Sequence, residues 1–351
     1  MTRKRSRSPV FTFSLLAIAA CSESTVPTQP ENGPAPGLTV PSSQASQVAA
    51  TGLGSWQTRA PMPTARYNFT GNVVYNLAGE PILYAIGGLD LNNTVLRQVE
   101  AYNPVTNTWT RKASLPHPRA GTNGTGVIGG KIYLSGGSTS SGASSNTLYV
   151  YDPGTNTWTT KAAMPVASDR GLSVAVKGKL YVLVGFCESC SNHYPHRLYR
   201  YDPATNRWSR LADCPRQHVY GTAGMIDGKL YVIGGDDGTF ERNSAQGWLD
   251  VYDPATNTWT AKARGPARTN GAAAVLGKKL YTVGGFNIDP LADMSAYDPA
   301  TDAWADRAPL SEPRDGLVAR TVTYGGVSYI LAVGGFTETG GLVGKLEQYT
   351  P

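Results

Sequence analysis

The sequence predicts an all-β fold assembled from six copies of one unit, and three observations lead there. Glycine pairs recur at intervals of about fifty residues, as Gly87-Gly88, Gly136-Gly137, Gly234-Gly235, Gly284-Gly285 and Gly334-Gly335, with a degenerate copy at Val184-Gly185. About fourteen residues after each comes Tyr-Asp-Pro or a near relative: Tyr102-Asn103-Pro104, Tyr151-Asp152-Pro153, Tyr201-Asp202-Pro203, Tyr252-Asp253-Pro254, Tyr297-Asp298-Pro299 and Tyr349-Thr350-Pro351. In five copies a tryptophan follows the proline by five positions, at Trp109, Trp158, Trp208, Trp259 and Trp304. No run asks to be a helix.

Each element has a local reason. Runs such as Lys179-Leu180-Tyr181-Val182-Leu183-Val184 and Lys229-Leu230-Tyr231-Val232-Ile233 are rich in β-branched and aromatic residues and bounded by Gly, Pro, Asn and Asp. They are predicted to be strands joined by hairpins. Pro254-Ala255-Thr256-Asn257-Thr258-Trp259 suits a tight turn, because Pro presets one dihedral and Asn tolerates the left-handed region. The glycine pairs end inner strands where neighbouring backbones leave no room for a side chain. One such sheet cannot bury both faces alone, so copies must stack, with Tyr and Trp packing between them.

A period near fifty with doubled glycines and a Tyr…Trp pair resembles the kelch repeat, in which each copy is one four-stranded blade of a β-propeller. The resemblance implies a six-bladed kelch β-propeller over residues 53–351. The last copy has its Tyr349 strand but no tryptophan strand, and the orphan Trp56 in Ser55-Trp56-Gln57-Thr58-Arg59 can supply it. An amino-terminal outer strand around Trp56 would then close the ring and remove the exposed edges.

The segment before the propeller bears on location. Arg3, Lys4, Arg5 and Arg7 precede an apolar run from about Val10 to Ala20, too short to span a bilayer, and the run ends in Ile18-Ala19-Ala20-Cys21. Residues 1–20 therefore resemble a bacterial lipoprotein signal, with Cys21 as the lipidated residue; the alternative is an ordinary signal peptide with an incidental cysteine. Ser22 would favour outer-membrane sorting in a Gram-negative source. Residues 21–52 carry Pro27, Pro30, Pro34, Pro36 and Pro41 among Ser, Thr, Gln and Gly, the composition of a flexible tether. The expected location is the cell envelope, with membrane contact only through the lipid.

Charge agrees with an exported domain. Four of the 31 basic residues precede Cys21, so beyond it 27 basic residues face 25 acidic ones, a balance of about +2. No basic stripe interleaved with aromatics is present, which argues against nucleic acid. A monomer of this length holds ample core between blades.

Chemistry is expected in the loops of one face, those after the glycine pairs and those linking blades, around the channel mouth. Arg66, Arg119, Arg170, Arg268 and Arg314 follow the outer strands, and in the fourth linker the register falls on His218 with Arg216 beside it. Six such positions on a ring would form a cationic funnel for carboxylates or acidic sugars. The resemblance supports this, because kelch proteins that bind acidic peptides line their pocket with arginines here. The competing expectation is that these residues brace loops or pair with Asp169 and Asp315.

The third blade carries Cys187-Glu188-Ser189-Cys190-Ser191-Asn192-His193-Tyr194-Pro195-His196. Cys187, Cys190, His193 and His196 are metal-ligating types, yet the spacing fits zinc sites loosely, and a Cys187–Cys190 disulfide suits an oxidising compartment. Cys214 aligns with Met62, Leu115 and Met164 and is expected to be a buried hydrophobe. Asp236, Asp237, Phe240 and Glu241, with Phe186, Phe286 and Phe336, are further candidates at the rim.

Two classes of function compete. The first is a non-catalytic binding module for a glycan, peptide or protein partner, without cofactor, since no nucleophile–base–orienter set is visible. The second is an enzyme. The architecture is similar to the sialic-acid mutarotases, for which the arginine ring plus Glu241 or His218 could serve, and more distantly to copper oxidases related to galactose oxidase, which need a Tyr–Cys cross-link and two histidines.

Overall fold

The computed structural model describes residues 52–239, 244–337, 339 and 341–351. Residues 1–21, read from sequence as a lipoprotein signal with its cysteine, and the rest of the expected tether up to residue 51 lie outside the described residues, as do Phe240 and Glu241.

Six four-stranded antiparallel sheets follow one another along the chain. In blade 1 the order from the inside outward is Thr70–Tyr75, Pro81–Ile86, Val99–Asn103 and Thr108–Arg111. The innermost strands of blades 2 to 6 are Thr125–Ile128, Leu172–Val176, Thr222–Ile226, Ala272–Leu276 and Val318–Tyr324. Each innermost strand touches the next and the sixth touches the first, so the sheets form a closed ring around a channel. Blade 6 takes its outermost strand from the other end of the chain: Ser55–Arg59 pairs with Leu346–Thr350, placing Trp56 opposite Tyr349. The closure expected from the orphan tryptophan is what the chain does.

The core lies between blades rather than within them. Six hydrophobic clusters each draw on two adjacent blades, as where Tyr133, Leu148 and Val150 of blade 2 meet Leu180, Val182 and Tyr201 of blade 3. The tyrosines of the repeat are fully buried; removing one such aromatic costs about 3–5 kcal/mol in a packed core.

The repeat also supplies a polar clasp. Tyr102 donates its hydroxyl to Asn107 Oδ1 at 2.7 Å, and that same oxygen accepts the Ala60 backbone N–H of the preceding blade. Trp109 donates its indole N–H to Ala60 O at 2.9 Å. The pattern repeats for Trp158, Trp208, Trp259 and Trp304, while Trp56 reaches Ala308 O and completes the circuit. Asn107 holds φ at 57°, the left-handed conformation that Asn accepts most readily after glycine. The doubled glycines serve close approach: a Cβ on Gly87 would stand 2.3 Å from Arg119 O.

Candidate functional site

The two loop sets expected at the mouth do meet there. Each linker pairs with the loop after its own blade's glycine pair, through bridges such as Tyr67 to Leu89, Asp169 to Phe186 and Asp315 to Phe336. One residue further along each linker, backbone hydrogen bonds run from blade to blade around the channel. The N–H of Gly121 donates to Asn68 O, Arg170 to Gly121, Tyr220 to Arg170, Asn270 to Tyr220, Gly316 to Asn270 and Asn68 to Gly316, at 2.7 to 2.9 Å. All six residues have positive φ, which turns each linker into the ring. This cyclic collar rims a cavity of about 120 Å³.

The arginine ring is not the funnel the spacing suggested. Arg66, Arg119, Arg268 and Arg314 are at most 5% exposed and lie beneath the collar. Arg66 pairs with Glu100 at 2.9 Å and Arg314 with Glu347 at 2.6 Å, both pairs buried. Arg119 lies over the Tyr149 ring and donates to Ser145 and Thr147. Arg268 donates to Gly284 O and Asp293 O; without a carboxylate partner its guanidinium is pushed down to about 10 by burial. In register with Glu100 and Glu347 stand Tyr149, Asp250 and Ser295, so the partner varies from blade to blade while the brace stays in place. In blade 4 the brace is His218, which faces Gly234 O with Nδ1 at 2.6 Å and Asp250 Oδ2 with Nε2 at 3.0 Å.

Cys214 joins His218 and Asp250 in a buried group with ligand atoms within 4.8 Å of one another. By residue type it could take a cation, but both histidine nitrogens are engaged and Arg216 occupies Asp250 Oδ1 at 2.9 Å. The group is the blade-4 version of the brace, and Cys214 is the buried hydrophobe the alignment predicted, its thiol pushed up by burial.

Arg170 differs from the others. Counting four residues from Met62, Leu115, Met164, Cys214 and Leu310 gives Arg66, Arg119, Ser168, His218 and Arg314, so Ser168 holds the brace position in blade 3. Arg170 is instead the collar residue. Its guanidinium lies over the rings of Phe186, at 5.2 Å, and Tyr220, at 5.5 Å, and its side chain is 34% exposed. Asp169 is 3.5 Å away, its carboxyl raised by burial although Arg170, Ser138 and Ser144 oppose that. Burial works to lower the Arg170 guanidinium, but Tyr220 and Asp169 outweigh it and hold the group above its ordinary value.

The Cys187 loop supports this corner. Cys187 and Cys190 form a disulfide, which leaves no thiolate for a metal. His196 Nδ1 is occupied by Cys214 O, and His193 stacks on Phe186. The metal set expected from sequence is therefore not assembled, and the histidines do not fit a copper centre. The loop instead packs His193 and Tyr194 against Phe186, the ring beneath Arg170.

Across the ring, blade 6 presents Asp315 beside Gly316. Its carboxyl is pushed up to about 6 by burial, partly offset by its own backbone N–H and the Asn270 side chain. Phe336 packs on Tyr67 at 5.7 Å, and Phe286 is exposed at the rim. Asp236 and Asp237 are engaged within their own loop, by Gly238 and Ser244 and by Thr239 and Gln246.

One residue of the channel escaped the sequence reading. Arg320, on the innermost strand of blade 6, lines both the mouth cavity and a deeper one of about 260 Å³; Ser173 and Ala223 share that neck. It is the only charged residue in the six innermost strands, which is the signal that could have found it.

Comparison with known proteins agrees with this architecture. Residues 47–214 match a family model described as the KLHDC2/KLHL20/DRC7 Kelch-repeats domain, and residues 219–264 and 267–311 match the Kelch motif. Kelch-like ECH-associated protein 1A of Danio rerio is 48% identical over 63 residues, 17% of this chain and 10% of that protein. Beta-scruin of Limulus polyphemus is 33% identical over 103 residues, 27% of this chain and 10% of the relative. Kelch-like protein 21 of Homo sapiens is 43% identical over 68 residues, 18% of this chain and 11% of the relative. The matched segments thus span about a tenth of these relatives' lengths. The solved structure of YjhT covers 81% of this chain and 94% of its own, with a TM-score of 0.66 and 19% identity, a likeness of fold.

Proposed function

The chain belongs to the kelch-repeat family, and from that premise we propose that it is a non-catalytic binding module of the cell envelope, engaging a partner at the mouth of its channel. The observation that carries this reading is Arg170, a cation held on two aromatic faces at the collar and partly open to solvent. A guanidinium with fixed orientation and few bonds of its own is a receptor for a carboxylate. Leu91, Phe286 and Ile288, exposed in the loops after the glycine pairs of blades 1 and 5, offer apolar surface on the same face. The ligand is therefore an acidic group on a peptide, protein or glycan.

A thermal-shift screen of the purified protein against acidic and neutral peptides and sugars tests it. Saturable stabilisation by acidic members, lost in Arg170→Gln with an unchanged unligated melting temperature, supports the reading; equal response to neutral members defeats it. The envelope part rests on residues 1–21 and is tested by palmitate labelling, which should vanish in Cys21→Ser.

Asp315 favours one second reading, a mutarotase or epimerase acting on an acidic sugar. A carboxyl near 6 can both accept and donate a proton at neutral pH, which anomerisation requires. His218, committed to its brace, does not fill that role. Accelerated anomer exchange of an acidic sugar, lost in Asp315→Asn, would replace the binding module with this enzyme.

A further inference from the structure

The channel below the collar contains a charge with no counter-ion. Arg320 spends Nη1 on two backbone carbonyls, Ala319 O at 2.7 Å and Ala273 O at 3.4 Å. Nε and Nη2 make no hydrogen bond, and no carboxylate lies within 4 Å among the described residues. Those two N–H groups share one edge of the planar guanidinium, spaced to meet two oxygens of a single oxyanion.

The surroundings are those of a site rather than of a brace. Each innermost strand places one residue opposite the same position of its second strand, occupied by Tyr84, Tyr133, Tyr181, Tyr231, Tyr281 and Leu331. At that level stand Asn72, Gly126, Val174, Gly224 and Ala274 with Arg320, so five small or uncharged side chains leave the arginine alone. Ser173 lines the same neck, 8% exposed, and its hydroxyl has no partner among the described residues. Arg268 shows the contrast: it also lacks a carboxylate, yet it is 1% exposed and lines neither cavity.

We propose that Arg320 binds a small oxyanion, of the carboxylate, phosphate or sulfate class, inside the channel at the neck between the two cavities, with Ser173 lining the same site. Burial without a counter-charge pushes the Arg320 guanidinium down to about 10, so an incoming anion relieves a cost that no protein group meets. Arg320 shares the mouth cavity with Arg170 but stands where that cavity meets the deeper one, and the proposal does not rest on the reading of Arg170.

Isothermal titration of the protein with inorganic phosphate, sulfate and acetate, at constant ionic strength set by chloride, tests it. At least one of the three should give a saturable isotherm, and the same isotherm in Arg210→Gln, whose exposed side chain stands on an outer strand and lines neither cavity. Arg320→Gln should lose about tenfold or more in affinity, as expected for a charge-assisted bidentate contact. Should Arg320→Gln not fold, Arg320→Lys keeps the charge but not the two-donor edge, and weakened binding is again expected. No saturable isotherm with any of the three anions overturns the proposal, as does binding kept by the Arg320 variants and lost in Arg170→Gln.

Discussion

Two sets of arginines in this chain do opposite things. Arg66 and Arg314 lie under the collar in closed pairs with Glu100 and Glu347, while Arg170 and Arg320 line the cavity at the channel mouth. Residue type does not separate them. Position relative to the collar does, because the brace sits one bridge below the ring and the lining residues face the cavity. An arginine repeated in four of the six blades marks what the fold uses as a brace, whereas an arginine that occurs once marks what this chain has added.

The largest expected effect breaks the first set. Arg314→Met strands Glu347 uncompensated and should cost about 3–5 kcal/mol in denaturant unfolding, whereas Arg314→Met with Glu347→Leu should recover most of it. An additive double variant would mean that the pair is not coupled. Arg119→Met with Arg268→Met should also lower stability, by less per site, because neither faces a carboxylate; an unchanged melting temperature would return both to the ligand surface.

Asp315 sharpens the contrast between opposite sides of the mouth. Its folded carboxyl is near 6 against about 4 when unfolded, so its favourable contribution is complete below about pH 4 and is lost as pH rises through about 6. Asp315→Asn should therefore gain on wild type across that window, levelling at no more than about 3 kcal/mol near neutrality. Urea unfolding at the two ends of the window checks it, and a pH-independent difference would be the contrary result. Reducing Cys187–Cys190, which closes a short loop, should cost at most about 2 kcal/mol and lower the affinity of whatever acidic ligand Arg170 holds. Affinity insensitive to reductant would detach the loop from the site. Smallest is Arg170→Gln, within about 0.5 kcal/mol of wild-type stability.

The residues of the clasp were legible from sequence because they are local and repeated, though as packing and turn residues rather than as hydrogen-bond partners. Tyr102, Asn107 and Trp109 occupy one turn and recur in register, and an unmatched Trp56 had to pair with the copy that lacked a tryptophan. The brace was half legible. Its positions were found in five blades, but blade 3 was misread because Arg170 looks like a brace when counted by residue type, although counting from Met164 points to Ser168. Between funnel and brace the sequence left the ring open, since the choice depends on whether Glu100 or Glu347, more than thirty residues away, comes under the same loop.

What the sequence determined by itself is the number of blades and their closure, because both follow from spacing along the chain; between a disulfide and a metal set in the Cys187 loop it did not decide. What only the tertiary structure decided is which cations are free. A charge is paired or open according to what lies within a few ångström of it, and in a propeller those neighbours come from another strand or another blade. Arg320 looks like one polar residue in an apolar strand, and becomes a channel cation only when six strands close around it.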